Sequence, residues 1–282
     1  MIRILSWNIQ NGKGCDGQVS LSRIAHEIEA MGAPDVICLQ EVSRGLSVFS
    51  SDERPDQMAE LSDLFGGYES VFGPAIEAAG PSGRWQYGNA IFSRLPILSS
   101  CSHLLPRPAD VQRKQMMRQA TEIVIDTDRG PRRVITTHLE FHSARQRGAQ
   151  TVRLRELHQE AVEEQLSPPQ SEIDGPYQFV PRPVDVVMCG DFNMLPDSDE
   201  YQALIQPFGS SDRNLIDAWE KYSSGQPYPP TCGVHDRIQW PEGPHCRDYF
   251  FLAGECVTQL SRLLVNTETS ASDHQPLMIE LS

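Results

Sequence analysis

Five short polar motifs are spread along the chain, and each of them ends or follows an apolar run. They contain Asn, Glu, Asp and His. Carboxylate and amide oxygens are the ligands that Mg²⁺ or Mn²⁺ prefers, and an imidazole can donate to a phosphoryl oxygen or relay a proton. A single motif of this kind is more often a turn or a structural residue, so the prediction of phosphoryl-transfer chemistry depends on their conjunction. The motifs are Trp7-Asn8-Ile9, Gln40-Glu41-Val42, Thr137-His138-Leu139, Gly190-Asp191-Phe192-Asn193 and Ser272-Asp273-His274.

These motifs need strands that end at a common rim. Residues 5–9 alternate like a half-buried strand, and Pro34 introduces the apolar strand 35–41, which ends in Glu41. Helical spacing covers 21–31, and amphipathic helices are predicted at 58–65 and 145–166. Further strand-like runs occupy 88–94, 119–126, 133–139 and 184–190. The mixed order of helices and strands predicts an α/β fold with polar strand ends facing an open rim.

Length and composition favour a soluble globular protein. Hydrophobic residues make up 39% of the 282 residues, which is enough for a substantial core. We therefore expect one domain over 1–282, with the Pro- and Ser-rich segment 167–183 as a surface loop insertion. No apolar stretch predicts a membrane span, and the first residues do not resemble an export signal. With seven unevenly spaced cysteines, these features predict a cytoplasmic location, no stable membrane association and a monomer.

The charge distribution limits the mode of substrate binding. The net charge is 24 − 38 = −14, which argues against a protein that grips nucleic acid with a strongly basic surface. Between Arg107 and Arg155, however, eleven Arg or Lys stand against five Asp or Glu, a local excess of +6. A phosphate-bearing substrate could approach this segment, or its arginines could be the solvated side of strands and a helix.

Taken in this order and with these neighbours, the motifs resemble the endonuclease/exonuclease/phosphatase superfamily. It includes pancreatic-type deoxyribonucleases, apurinic endonucleases, tyrosyl-DNA phosphodiesterases and sphingomyelinases. The resemblance runs from Leu5 to Leu281. It implies an α/β (α+β) fold, a four-layer α/β sandwich of two mixed β-sheets packed face to face with helices outside. Supporting matches are Tyr87-Gly-Asn-Ala-Ile-Phe-Ser-Arg-Leu-Pro96, Asn214-Leu-Ile-Asp-Ala-Trp219 and Arg247-Asp-Tyr-Phe-Phe251.

The resemblance implies a Mg²⁺ or Mn²⁺ site. Glu41 would be the principal metal ligand, with Asn8 and Asp273 close by, and Asn8 would also contact the substrate. Gln10 departs from the pattern, because several family members carry an acidic residue there that helps to hold metal. A neutral amide should weaken the site or leave one ion instead of two.

It also implies the roles of the catalytic residues. Asp191 would orient and deprotonate the attacking water, and Asn193 would bind the phosphate. His274, supported by Asp248, would stabilise the charge of the transition state, while His138 would contact a phosphate oxygen from the opposite side. These roles suit phosphate ester hydrolysis, which needs charge neutralisation and an aligned nucleophile.

Several basic residues are candidates for substrate contact, namely Arg118, Arg145 and Arg153. A second departure is Arg247, which precedes Asp248 where an apolar residue is common. It either adds a substrate contact or shifts the strand register.

The segment 232–246 has the residue types of a zinc site. Its candidates are Cys232, His235, His245 and Cys246, but their spacing matches no common zinc pattern. The alternative is an insertion loop in which these residues have no role in metal binding.

The sequence thus predicts a divalent-metal-dependent hydrolase of phosphoester bonds, similar to phosphodiesterases and nucleases. Its substrate is a phosphoester, which could be a nucleic acid. The alternatives are a phosphomonoesterase that acts on a phosphorylated inositol, sugar or lipid head group, and a catalytically inactive binding protein on the same fold. An inactive protein would be expected to have lost at least one of the five motifs.

Overall fold

Two six-stranded sheets form the centre of the computed structural model, which describes residues 1–49, 55–209 and 213–282. The first sheet has the order β11-β12-β1-β2-β4-β3, and the second has the order β5-β6-β7-β8-β10-β9. The strands of the first sheet are β1 (Ile2–Asn8), β2 (Val36–Arg44), β3 (Glu69–Gly80), β4 (Gly83–Ser93), β11 (Leu260–Val265) and β12 (Leu277–Leu281). Those of the second are β5 (Ile97–Leu104), β6 (Gln119–Ile125), β7 (Arg132–His138), β8 (Val186–Asp191), β9 (Ile216–Asp217) and β10 (Asp248–Ala253).

Most of the helices begin at a side chain that accepts a hydrogen bond from one of their first backbone N–H groups. Ser20 accepts a hydrogen bond from the Arg23 backbone at the start of α1, and Ser143 accepts one from the Gln146 backbone at the start of α3. These caps set where the chain leaves each loop and turns into the helix. The helices are α1 (Leu21–Ala30), α2 (Gln57–Leu64), α3 (Ala144–Leu166), α4 (Asp199–Ile205), α5 (Ala218–Tyr222) and α6 (Glu255–Gln259).

Three apolar clusters hold these elements in four layers. One cluster lies between the two sheets and includes Val36, Ile91, Val134 and Phe250. A second cluster packs α1 and α2 on the outer face of the first sheet, and a third packs α3 and α4 on the outer face of the second. Because each sheet is covered on both faces, its central strands are buried along nearly their whole length. The predicted four-layer α/β sandwich is therefore confirmed.

Strand pairing brings the polar motifs to one end of both sheets. In the second sheet, His138 pairs with Asp191 across the parallel strands β7 and β8, and Asp248 pairs with Asp191 across the antiparallel strands β8 and β10. In the first sheet, Asn8 pairs with Gln40 across the parallel strands β1 and β2. Parallel strands end at the same edge, so both sheets present their polar residues at one rim.

The segment 167–183 contains no helix or strand, and nearly all of its residues up to 181 are exposed. Its far end is anchored: Arg182 donates to buried Glu122 at 2.8 Å, and the Pro183 carbonyl accepts from Arg133 at 2.6 Å. The organisation as one domain with an insertion stays a prediction. No helix within the described ranges is long and apolar enough to cross a membrane.

Candidate active site

A β-bulge in β2 aims Glu41 into the rim. The pairing of β2 with β4 shifts between Leu39 and Val42, and Glu41 has φ = +62°. Bulges of this kind redirect a side chain at the end of a strand. Asn193, which follows β8, also lies in the left-handed region with φ = +51°. Such backbone conformations are costly for residues other than glycine, and they persist where the surrounding structure enforces them.

A glycine lets β7 and β8 approach closely beside the site. Gly190 has φ = +138°, and a Cβ atom there would clash with the Thr137 carbonyl. The close approach places His138 and Asp191, the next residue of each strand, side by side.

Asp191 lies at the centre of the site. Its Oδ1 accepts the backbone N–H of Asn193 at 2.9 Å, and its Oδ2 accepts the Asn8 side-chain amide at 3.0 Å. The same Oδ2 lies 3.4 Å from Nε2 of His138 and 3.6 Å from Nε2 of His274. Burial, together with the charge of Asp248, raises the pKa of Asp191 above its usual value. A raised carboxyl pKa suits a group that takes up a proton during the reaction.

His274 is held as an imidazolium. Its Nδ1 lies 2.9 Å from Oδ2 of Asp248, which also accepts the Thr231 hydroxyl at 2.6 Å. Burial opposes the charged imidazole, but Asp248, Asp191 and Asp273 outweigh it and raise the pKa of His274 well above its ordinary value. The predicted support of His274 by Asp248 is thus present as a direct hydrogen bond.

His138 is kept neutral. Burial and the nearby charges of Arg118 and His274 lower its pKa well below the usual value. Its Nδ1 is buried without a hydrogen-bond partner in the described part of the chain and lies 3.9 Å from Oε1 of Glu41. Ionised Asp191 only accepts hydrogen bonds, so the compatible tautomer carries its proton on Nε2. The lone pair of His138 Nδ1 then faces the carboxylate oxygen of Glu41. Two acceptors face each other there, so the space between them suits a cation or a hydrogen-bond donor.

The surroundings of Glu41 fit a divalent cation. Glu41 accepts from Asn8 at 3.2 Å and from Asn11 at 3.4 Å, both neutral amides. Burial and the charge of Asp273 raise the pKa of Glu41, so its negative charge is undercompensated. Oxygen donors of this type suit Mg²⁺ or Mn²⁺ rather than a softer metal.

Asn8 and Asp273 differ from the implied picture of metal ligands. The Asn8 amide nitrogen bridges Glu41 and Asp191, while its oxygen accepts the Gln10 backbone N–H at 3.1 Å. Asn8 therefore braces two carboxylates, and coordination of a metal by its side-chain oxygen stays a prediction. Asp273 is buried, and its oxygens accept from Trp240 at 3.1 Å and from Ser272 at 3.3 Å. Its charge reaches Glu41, but direct coordination by Asp273 stays a prediction.

Among the described residues, one group of three His, Cys, Asp or Glu side chains could hold a metal, namely Asp191, Asp248 and His274. Their candidate ligand atoms lie within 4.8 Å of one another. His274 Nδ1 and Asp248 Oδ2 are already bonded to each other, so these atoms suit a supported imidazolium better than a metal cage. Glu41 as the principal metal ligand stays a prediction.

Residues 5–274 match the model of the Endonuclease/Exonuclease/phosphatase family. The chain belongs to this family. Its members are phosphoester hydrolases and are generally dependent on divalent metals. No curated protein matches the chain.

Similar solved structures have the same fold. The mannosyl-6-phosphatase of Bacteroides thetaiotaomicron is 19% identical, with a TM-score of 0.65 and full coverage of both chains. The catalytic domain of human nocturnin with a bound sulfate anion is 23% identical, with a TM-score of 0.62, covering 100% of this chain and 94% of that one. Truncated TDP2 of Caenorhabditis elegans is 18% identical, with a TM-score of 0.62 and coverage of 99% and 96%. At these identities the likeness shows the shared fold alone.

Of the three arginines expected to bind substrate, only Arg118 lies in the active-site cleft. Arg118 is buried, and Glu140 holds its guanidinium at 3.5 Å. Arg145 is exposed and donates to the Ala109 carbonyl, and it does not line the cleft. The structure does not bring Arg153 to the site either, because Arg153 pairs with Glu160 at 2.6 Å along α3.

The zinc candidates do not form a common site in the described ranges. Cys232 Sγ lies 3.2 Å from Nε2 of His245, but His235 contacts the Thr267 carbonyl and Cys246 the Asp248 carbonyl. Among the residues that the structure describes, these four are not a group of potential metal ligands. The segment 232–246 instead packs against the catalytic residues.

Arg247 neither shifts the strand register nor lines the cleft. Asp248 keeps its pairing with Asp191, and the Arg247 guanidinium lies over the rings of Phe141 at 5.5 Å and Trp240 at 5.1 Å. Arg247 therefore supports an aromatic wall from behind.

The cleft has a volume of about 350 Å³ and includes residues to which the sequence gave no role. Tyr87 lies beside Glu41, and burial and that carboxylate raise its pKa well above the ordinary value. Phe141 and Trp240 form the aromatic wall, with their rings 5.6 Å apart and nearly perpendicular. In the sequence, only the place of Tyr87 directly before Gly88 in the strand motif pointed to a role for Tyr87. No local pattern identified Trp240.

We predict that Trp240 positions Asp273 and His274. Its indole N–H donates to Asp273 at 3.1 Å, and its ring meets His274 edge to face at 5.7 Å. Trp240→Phe keeps a ring but removes the donor, and it should lower kcat/KM and metal affinity about tenfold, the lower end for residues that orient metal ligands. Kinetics and metal titration would measure this effect.

The matched control is Trp219→Phe, which removes an indole donor to the Gln226 carbonyl away from the cleft. It should leave both quantities unchanged. If Trp240→Phe behaves like wild type and only Trp240→Leu is impaired, then ring packing rather than the hydrogen bond is what matters.

Proposed function

We propose that this chain hydrolyses phosphodiesters in a reaction that depends on Mg²⁺ or Mn²⁺. One observation carries the proposal: Oδ2 of buried Asp191 lies within 3.6 Å of the Nε2 atoms of two imidazoles that differ in charge. Neutral His138 stands on one side and cationic His274 on the other. A base, a neutral hydrogen-bonding group and a cation therefore converge on one point, as phosphoryl transfer requires.

In the proposed reaction, Asp191 accepts a proton from a water molecule as that water attacks the phosphorus. A P–O bond to the water oxygen forms, and the P–O bond to the leaving alcohol breaks. The proton returns to the leaving oxygen or passes to solvent, so the products are a phosphomonoester and an alcohol. Asn8 and the Asn193 backbone fix the Asp191 carboxylate in the required orientation.

The remaining residues bind the phosphate. His274 and Arg118 place positive charge where the phosphoryl oxygens gain negative charge, and Asn193 lines the same cleft. His138 contacts a phosphate oxygen from the opposite side. Glu41 would hold the divalent cation, which when bound neutralises phosphate charge and polarises the P–O bonds.

A second candidate is a phosphomonoesterase, because one structural neighbour is a mannosyl-6-phosphatase. The site residues suit both reactions, so only a comparison of substrates can distinguish the diesterase from the monoesterase. An inactive binding protein is not favoured, because all five motifs are intact and the fold brings them to one rim. The monomeric state and the cytoplasmic location stay predictions.

The first experiment measures hydrolysis of bis-para-nitrophenyl phosphate and para-nitrophenyl phosphate with Mg²⁺, with Mn²⁺ and with EDTA. We expect metal-dependent release of para-nitrophenol, with the diester preferred. Turnover that is unchanged in EDTA would refute metal dependence, and a preference for the monoester would favour the second candidate.

We predict that Glu41→Gln raises the half-saturating metal concentration by more than about tenfold, because a neutral amide is a poorer ligand than a carboxylate for a hard cation. Titration calorimetry with Mn²⁺ measures the same loss without turnover. Glu69→Gln, an exposed change at the opposite end of the first sheet, is the matched control. Unaltered Mn²⁺ affinity in Glu41→Gln would exclude Glu41 as the principal ligand.

A further inference from the structure

Four exposed cations lie on the loop 105–118, which also supplies two residues to the cleft, and at the start of α3, and they have no acidic partner within the described residues. They are Arg107, Arg113, Lys114 and Arg145. Other arginines of the same stretch have acidic partners away from the cleft: Arg147 pairs with Glu200 and Arg153 with Glu160. Within the described residues, these four are the larger part of the six cations of 107–155 that have no acidic partner, the other two being Arg129 and Arg155, and we call the four the basic strip. On a chain with a net charge of −14, it is a local site of attraction for anions.

The basic strip is held in place next to the cleft. The loop 105–118 docks on the start of α3, where Gln146 donates to the Pro108 carbonyl at 2.8 Å and Arg145 to the Ala109 carbonyl at 2.9 Å. The same loop supplies Met116 and Arg118 to the cleft. Lys114 is two residues from Met116, so their Cα atoms are at most about 7 Å apart.

An exposed aromatic side chain completes the wall next to the catalytic residues. Phe141 lines the cleft and is 40% exposed, so part of its ring is open to a ligand. The Trp240 ring lies at 86° to the Phe141 ring, and the Arg247 guanidinium lies 5.5 Å from the centre of the Phe141 ring. These two contacts fix the orientation of Phe141. A fixed, exposed ring next to a phosphate site can stack on a nucleobase, because every base has a π-face.

We propose that the substrate is a single-stranded nucleic acid whose chain continues from the cleft along the basic strip. The scissile phosphate would lie in the cleft against Asp191 and His274, the adjacent base on Phe141, and the flanking phosphates on Arg113, Lys114 and their neighbours. This inference rests on the proposed phosphodiesterase function. It names the substrate class that the same site would cleave.

The alternatives explain fewer of these features. A phosphorylated sugar or inositol would fit inside a cleft of about 350 Å³ and would leave the basic strip without a role. Long duplex DNA has a high charge density along both strands, and a chain with a net charge of −14 offers it one short strip. A single strand needs a short cationic track and a stacking ring, and both are present.

The test uses the double variant Arg113→Gln/Lys114→Gln and a labelled single-stranded oligonucleotide. Loss of two phosphate contacts should weaken affinity about 25-fold at about 0.1 M salt and should lower the slope of log K against log salt by about 1.4. Hydrolysis of bis-para-nitrophenyl phosphate should be unchanged, because neither residue lines the cleft. The matched control, Arg129→Gln/Arg262→Gln, removes two exposed cations that do not line the cleft.

A second variant tests the stacking ring. Phe141→Leu should weaken oligonucleotide affinity about tenfold or more without changing the salt slope, because it removes stacking and leaves the charges in place. Affinity is measured by fluorescence anisotropy in EDTA, so the result does not depend on turnover.

Several outcomes would overturn the inference. These are an unchanged affinity and salt slope in the double variant, an equal loss in its control, a preference for duplex over single strand, or cleavage of inositol phosphates or sphingomyelin with none of the oligonucleotide. Failure of the proposed function looks different, since the wild-type chain would then not hydrolyse the chromogenic diester but would still bind the oligonucleotide.

Discussion

Asp191→Asn should lower kcat by about 10²–10⁴, the range for loss of a general base, while the fold stays intact. The asparagine cannot accept a proton from water at the position that Asn8 and the Asn193 backbone define. Steady-state kinetics on bis-para-nitrophenyl phosphate would measure the loss. Asp191 acts as a base only when it is ionised, and its pKa is raised. Wild-type activity should therefore fall as the pH is lowered through the pKa of Asp191.

Two controls separate a chemical effect from a structural one. Asp63→Asn, an exposed change on α2, should keep full activity. Thermal unfolding of Asp191→Asn should match that of the wild type, since the substitution keeps the size of the side chain. If Asp191→Asn retains more than about a tenth of the wild-type kcat, another group activates the water.

The sequence predicted the elements whose residues are buried. The expected strands at 35–41 and 133–139 correspond to β2 and β7, and the expected helix at 145–166 corresponds to α3. These strands run through the sheet interiors and are buried along nearly their whole length. Strands β3, β5, β9, β11 and β12 were not predicted. The first four lie at sheet edges and have few buried residues, so they carry little hydrophobic signal, whereas β12 is buried but only five residues long.

The sequence also identified most of the polar groups that meet at the rim, because a polar residue after an apolar strand has a fixed place in the fold. It could not predict side-chain orientation. Asn8 points its amide nitrogen at two carboxylates. One of them belongs to Asp191, which lies 183 positions away along the chain. Arg153 pairs with Glu160 on its own helix. This local ion pair competes with any contact between Arg153 and a substrate.

Contacts made by the segment 232–246 were the least predictable. Trp240 reaches Asp273 across 33 positions, from a segment whose composition suggested an incidental loop. No local periodicity encodes such a contact, because it arises only when the two sheets pack and the segment 232–246 is laid over their rim. The chemistry could therefore be inferred from strand ends, and the residues that orient it needed the structure.

His274→Ala should lower kcat by about 10²–10³, the scale for one electrostatic donor, and should change substrate affinity much less. Asp248→Asn should cause a smaller loss of the same kind, because it removes the charge that supports the imidazole but not the imidazole itself. With Asp248 bonded to His274 at 2.9 Å, the double variant should lose little more than His274→Ala alone. Losses that multiply would show that the two residues act independently.

The pH profile gives a second readout of the same pair. His274 must be protonated to stabilise phosphoryl charge, and Asp248, Asp191 and Asp273 raise its pKa despite burial, so wild-type activity should persist at neutral pH. It should be lost as pH rises through that raised pKa. In His274→Ala this alkaline decline should disappear, while the acidic decline that belongs to Asp191 remains. His26→Ala, an exposed change on α1, should keep both limbs. An alkaline limb that survives in His274→Ala would assign the titration to another group and would remove His274 from the proposed mechanism.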